Sequence, residues 1–198
     1  AIDLAGAQMD IDVNSDADIK RLGEPLLFWG VTSGAVSSMI ANYTASGKPR
    51  KEDDFTAGGI NNKRPDRALI AYSNLIRKYF KNTKPIVLGG IEASLLRIAH
   101  YDYWDNKVRR SILFDAKADI LVYGMGEKVI VSIADSLAKG DDYHSIKGIC
   151  YIANEPPTDC IMFPSYEETV QDKLKFIEMF NTFYNNADPI IGKILCQK

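Results

Sequence analysis

Three times in this chain a short, continuous apolar run ends in small or glycine residues and opens into a helical pattern. Leu26, Leu27, Phe28, Trp29, Gly30 and Val31 run into Thr32, Ser33 and Gly34, followed by a helix-like stretch through Met39, Ile40 and Tyr43. Ile86, Val87 and Leu88 run into Gly89 and Gly90, with a helix opening near Glu92. Ile120, Leu121, Val122 and Tyr123 run into Gly124, Met125, Gly126 and Glu127, then the helical set Val129, Ile130, Ile133, Ala134 and Leu137. Runs that are apolar at successive positions are buried on both faces, which is the mark of parallel strands covered by helices. Glycines just past their carboxyl ends let a ligand reach backbone N–H groups at a helix start. The pattern predicts an α/β fold, a three-layer sandwich with a mostly parallel sheet and a crevice at one end of it.

Between the first two strands, Leu69, Tyr72, Ile76 and Phe80 recur at helical spacing behind Asp66, an N-cap candidate. That helix makes the crossover of a right-handed βαβ unit, so the strands around Leu26 and Ile86 should pair in parallel. Thr44 to Pro65 (TASGKPRKEDDFTAGGINNKRP) has no period and reads as a loop. Its Lys48, Arg50, Lys51, Lys63 and Arg64 can meet an anion or pair with the neighbouring Glu52, Asp53 and Asp54. A fourth apolar strand lies between Ile146 and Ala153, and Pro156 and Pro157 mark a boundary. Ser165 and Glu168 form a capping box in front of one long helix with the stripe Val170, Leu174, Ile177, Phe180 and Tyr184. That stripe is too apolar for water and should dock on this domain or on one that follows. The expected organisation is a polar, irregular lead-in over residues 1–24, an α/β domain over 25–155, and a linker with a long helix over 156–198.

Composition narrows the chemistry. The 24 basic and 26 acidic residues leave a net charge of -2, which gives no field to draw nucleic acid or anionic lipid. No apolar run has the length of a membrane span, and AIDLAGAQMDID lacks the regions of a signal peptide, so a cytoplasmic protein is expected. Cys150, Cys160 and Cys196 are too few and too far apart for a disulfide framework, a CxxC pair or a CxxxCxxC loop. No metal site is expected within this chain.

The segment LLRIAHYDYWDNKVRR holds the densest set of chemically able side chains. His100 beside Asp102 is an acid–base candidate, and Arg109 or Arg110 can hold an anion or pair with Asp102, Asp105 or Asp115. Thr32, Ser33, Gly34, Gly89, Gly90, Glu92, Gly124, Gly126 and Glu127 stand at the three turns and are the candidate crevice or cofactor-binding residues. The Thr32 and Ser33 hydroxyls are expected as caps of the helix that follows rather than as ligand contacts, since Ser and Thr cap helices so commonly. GMGEKV has only the first two glycines of a GxGxxG fingerprint, with Val129 in the third place.

The strings LFWGVTSGAVSSMIANYT, FTAGGINNKRPDRALIAYSNLIR, LGGIEASLLRIAHYDYWDNKVRRSILFDAKADILVYGMGE and PSYEETVQDK resemble the amino-terminal region of the YgiQ family of radical S-adenosylmethionine (SAM) proteins over most of residues 22 to 186. GGIEAS and GMGE are also similar to turns in the cobalamin-binding-like domains that precede many radical SAM barrels. The resemblance implies a Rossmann-like, flavodoxin-type sheet. It also implies, for the parent protein, a 4Fe-4S cluster on a CxxxCxxC loop, SAM on the open iron, and reductive cleavage to a 5'-deoxyadenosyl radical. The cluster loop lies downstream of the region this chain matches, so the chain resembles an amino-terminal fragment, inactive alone, whose partner is a downstream radical SAM domain. IAHYDYW stands around His100, and the DxHxxG motif of cobalamin binding is absent, which argues against cobalamin. The expected function is an accessory domain that shapes the substrate side of a radical SAM active site. The alternatives are a non-catalytic nucleotide- or cobalamin-binding-like module, and an interaction domain that recruits a partner through its last helix.

Overall fold

The computed structural model describes residues 15–54, 58–62, 64–188 and 191–198. They form two compact units, one built on the sheet and reaching to Arg97 with Ile112–Tyr151, the other on Ile98–Ser111 with Ile152–Lys198.

In the first unit, β1 (Trp29–Thr32), β2 (Ile86–Gly89), β5 (Ile120–Val122) and β6 (Ile149–Tyr151) form one sheet in that order. The β1–β2 and β2–β5 pairs are parallel, and β6 closes the sheet antiparallel to β5. The register explains the continuous apolar runs. Trp29, Val31, Ile86, Leu88 and Leu121 point to one face, where Leu69, Tyr72, Ile76 and Phe80 of α3 (Ala68–Tyr79) and its C-cap meet them with α1 (Asp16–Lys20), α4 (Gly90–Leu95) and α5 (Ile112–Asp115). Val87, Ile120 and Val122 point to the other, under Ile133, Ile130 and Leu137 of α6 (Glu127–Lys139). This is the expected three-layer α/β sandwich with a mostly parallel sheet. Asp119, just before β5, accepts from the Ile86 amide at 2.7 Å and from Arg77 at 2.8 Å, which ties α3 to the amino-terminal ends of β2 and β5.

Several local expectations are corrected by tertiary contacts. The first strand begins at Trp29, and Leu26 is 90% exposed. Asp66 does not cap α3, because its carboxylate accepts from Asn42 Nδ2 at 2.8 Å and Tyr43 OH at 2.7 Å; Arg67, at φ 50°, takes the N-cap place. Thr32 and Ser33 do not cap α2 (Ser38–Asn42) either: Ser33 donates to the Val36 carbonyl and Thr32 accepts from the Gly34 amide. The lead-in is not irregular throughout, since Ser15 caps α1 and Ile19 is buried against α3. The first 14 residues of the lead-in and Lys63 lie outside the described residues.

The long loop is stitched to α2 rather than simply solvated. Asn61 donates to the Asn42 and Arg50 carbonyls, Arg50 to the Ile40 and Tyr43 carbonyls, and Arg64 meets buried Asp53 at 3.2 Å. Arg50 and Arg64 are thereby committed to the loop's own structure.

In the second unit, β3 (His100–Asp102) and β4 (Lys107–Arg109) form an antiparallel hairpin that the sequence pattern did not announce. β7 (Cys160–Met162) and β8 (Ile194–Cys196) pair in parallel. The capping box is present, with Ser165 Oγ accepting from the Glu168 amide and Glu168 from the Ser165 amide. The single long helix is not: the chain turns extended at Asp172 (φ -131°), dividing it into α7 (Tyr166–Gln171) and α8 (Lys173–Asn185). Asp172 caps the second piece by accepting from the Leu174 amide at 2.8 Å. Ala99, Phe163 and Met179 form the buried centre of this unit, with Phe176, Phe183 and Leu195 packed on them. Among the described residues no helix is long and apolar enough to cross a membrane.

Candidate functional site

The three turns beyond β1, β2 and β5 stand side by side at the carboxyl ends of the parallel strands. The four strands follow chain order, so no reversal marks the crevice and the turns themselves locate it. Thr32 Oγ1 closes the first turn by accepting from the Gly34 amide at 3.2 Å. Gly90 sits against that hydroxyl at φ +85°, and a Cβ there would fall 2.6 Å from Thr32 Oγ1. Only glycine fits, on both conformational and steric grounds. Ser94 joins the second turn to the third: its hydroxyl donates to the Gly90 carbonyl at 2.9 Å and accepts from the Gly124 amide at 3.2 Å. Gly126, at the N-cap of α6, would drive a Cβ to 2.8 Å from Val122 Cγ1.

The candidate crevice residues divide into a rim and a support. Thr32, Gly34, Gly90, Gly124 and Glu127 are exposed, with Gly89 and Gly126 half-buried between them. Ser33 and Glu92 are buried at 5% and 2% exposure, beneath the rim. Glu92 accepts from the Ser38 amide at 2.6 Å, placing a carboxylate at the start of α2, while Ser38 Oγ accepts from the Ala68 amide at 3.0 Å. This chain of bonds links α4, α2 and α3 behind the turns, so Glu92 holds the crevice in shape from inside.

In the sequence Arg97 stood out only as part of the segment LLRIAHYDYWDNKVRR and Tyr123 only as a strand residue, and Ser94 was passed over. The Arg97 guanidinium lies 4.8 Å from the centre of the Tyr123 ring, and it also donates to the Ser94 carbonyl. Burial, with smaller contributions from its neighbours, holds the Tyr123 hydroxyl above its ordinary value. Cys150 packs at the edge of the same core, where burial pushes its thiol up to about 11 against the opposing charge of Arg97. It is therefore protonated at neutral pH. The spacing of Ser94 to Arg97, one helical turn, was the available signal.

The acid–base candidates fall in the other unit. Asp102, 8% exposed, accepts from Arg109 Nε at 2.5 Å and from the Trp104 and Asp105 amides, which closes the hairpin turn. Arg109 also reaches Asp105. Burial works against the Arg109 charge, yet the bonds to Asp105 and Asp102 outweigh it and raise its pKa. Arg109 and Asp102 are thus engaged with one another, as the pairing alternative anticipated. His100 Nδ1 lies 3.0 Å from the Ile98 carbonyl, which favours the proton on Nδ1 in the neutral ring. Arg110 is exposed. A second histidine site went unmarked in the sequence: His144 packs at a tilt against Tyr143 and edge-on against Tyr151 and bonds Asp142, whose pKa is lowered by the His144 amide and ring.

Among the described residues no group of three histidine, cysteine or acidic side chains is placed to hold a metal. Cys196 neighbours Cys160, and burial with that contact pushes its thiol up to about 11.

Residues 7–198 match the family described as Radical SAM N-terminal. A UPF0313 protein of Fusobacterium nucleatum is 58% identical over 193 residues, covering 97% of this chain and 34% of its own length. A UPF0313 protein of Thermotoga maritima is 53% identical over 181 residues, 90% of this chain and 32% of that one. The chain spans about a third of the length of the curated relatives it matches. A solved structure of the radical SAM methyltransferase TsrM from Kitasatospora setae, with tryptophan and a SAM analogue bound, is similar at a TM-score of 0.46 and 17% identity, over 70% of this chain and 20% of that one. With its residues matched from 7 to 198, the chain belongs to the Radical SAM N-terminal family.

Proposed function

We propose that this chain is the amino-terminal accessory region of a radical SAM iron–sulfur enzyme of the cytoplasm and that its carboxyl-end turns form the substrate side of the active site. The observation that carries the reading is the locking of the three turns into one rim, by the Thr32–Gly90 contact and the Ser94 bridge to Gly124. Rigid glycine turns backed by a buried carboxylate network make a preorganised wall, the kind of surface that orients a substrate without reacting with it. The cluster and SAM would be held by the rest of the parent protein and would supply the radical chemistry. Thr32, Ser94 and Glu127 would contact the substrate, and Glu92 would position them. Activity would then require the full-length protein.

The test uses the full-length parent, purified without oxygen and reconstituted with iron and sulfide. Formation of 5'-deoxyadenosine from SAM, lost when the cluster cysteines are replaced, supports the reading. A well-folded protein that assembles no cluster and forms no product overturns it.

One observation favours a second reading, a non-catalytic nucleotide-binding module. Gly126 gives α6 no side-chain cap, so a helix of 13 residues presents its first amides at the rim. Adenosine nucleotides titrated against the full-length protein would discriminate, since binding that is lost in Gly126→Asp without any SAM cleavage belongs to this second reading.

A further inference from the structure

The pair α7 and α8 is apolar on two sides. Phe176, Met179 and Phe183 of α8 turn into their own unit. Val170, Leu174, Ile177, Phe180 and Tyr184 stay exposed at 50%, 73%, 52%, 52% and 72%. Along α8 the exposed set lies roughly a third of a turn from the buried one, so the two stripes cannot serve a single core. Lys175 and Glu178 form an ion pair on the remaining side. The exposed stripe amounts to several hundred Å² of contiguous apolar surface, the size that marks an interaction site in a folded protein.

We infer that this stripe is the seat of the remainder of the parent polypeptide, the radical SAM region outside the matched part. The inference rests on the reading that the chain is one region of such a protein. Its support is arithmetical as well as chemical: the chain spans 34% of the Fusobacterium relative, so most of that protein lies outside the match. A covering segment on the same polypeptide meets the stripe at high effective concentration, which a separate partner does not. The stripe has no acidic or basic cluster of its own beyond Lys173 at its start, so the matching surface is apolar and aromatic rather than charged.

Hydroxyl-radical footprinting of the native full-length protein reads this without any variant. Leu174, Ile177, Phe180 and Tyr184 should be oxidised about tenfold more slowly than their exposure in the isolated fold dictates, as slowly as buried Phe163, because interface centres exclude water. In the double variant Ile177→Asp/Phe180→Asp, Leu174 and Tyr184 should regain the faster rate, together with residues outside the matched region. Fast oxidation of all four in the native protein overturns the inference. So does protection that appears only as protein concentration rises, which would put a second copy on the stripe. Because oxidation rates do not depend on SAM cleavage, failure here leaves the proposed function standing, and failure to form 5'-deoxyadenosine leaves the footprint to be judged by itself.

Discussion

Gly90→Ala is the sharpest perturbation of the crevice. Two costs meet at this residue. Alanine at φ +85° costs roughly 1–2 kcal/mol for entering the left-handed region. Its Cβ also falls 2.6 Å from Thr32 Oγ1, so the Thr32 side chain must swing away and give up its bond to the Gly34 amide, about 1 kcal/mol more. The sum is about 2–3 kcal/mol, or roughly a hundredfold in a local opening equilibrium. Gly124→Ala is the internal control: its φ is +69°, but nothing lies within 4 Å of the added Cβ, so only the conformational cost applies. Native-state hydrogen exchange at the Val87 and Leu88 amides of the full-length protein reports both variants on one scale. In a double-mutant cycle, Thr32→Ala should cost about 1 kcal/mol in the wild type and in Gly124→Ala but almost nothing further on top of Gly90→Ala, a coupling of about 1 kcal/mol. If Gly90→Ala and Gly124→Ala prove equally costly, or Thr32→Ala costs the same in both backgrounds, the two turns are not in contact and the single rim is wrong.

Other consequences follow from the supports. Glu92→Ala strands the Ser38 amide and should cost about 2–3 kcal/mol, whereas Glu92→Gln keeps an acceptor and should cost no more than about half of that, both read from exchange in α2 and α4. Ser165→Ala removes one half of the capping box and should destabilise α7 by about 1 kcal/mol, seen as faster exchange at Glu168. For the Cys150 thiol, the folded pKa of about 11 lies above the ordinary 9.0, so the folded state keeps the proton that the unfolded state loses. Its contribution is fully present below pH 9 and is lost as pH rises toward 11; Cys150→Ala should flatten the alkaline limb of the stability curve over that window. Arg109→Lys cannot reach Asp102 and Asp105 together, so the β3–β4 hairpin should exchange several-fold faster, while Asp102→Asn, whose side-chain oxygen still accepts from the Trp104 and Asp105 amides, should do less.

The sheet and the α3 stripe were legible because burial there is local in sequence: Ile86 to Leu88 and Ile120 to Val122 are buried on both faces, and a run of apolar residues records that directly. The capping box was legible for the same reason, since both partners lie within three residues. Asp66 was misread because its cap geometry is local but its partners, Asn42 and Tyr43, are some 23 or 24 residues away. The break at Asp172 was hidden by a stripe that continues across it, although aspartate's liking for N-caps was present to be used. At the site, the glycine turns could be found from their spacing, but nothing in the spacing tells that Gly90 touches Thr32 or that Ser94 bridges to Gly124. Arg109 and Asp102 look like chemistry in a list of residues and act as hairpin locks once the register pairs their strands.

The central claim is that the rim handles substrate while the cluster and SAM lie elsewhere in the parent. It is tested most directly by comparing SAM cleavage in full-length wild type with Ser94→Ala and Glu127→Gln, each with and without a fractionated cell extract that supplies the substrate. The account predicts that extract accelerates 5'-deoxyadenosine formation in the wild type, and that both variants keep the basal rate within about twofold while losing the acceleration. Variants that keep the full acceleration, or that lose the basal rate with their clusters intact, would contradict it.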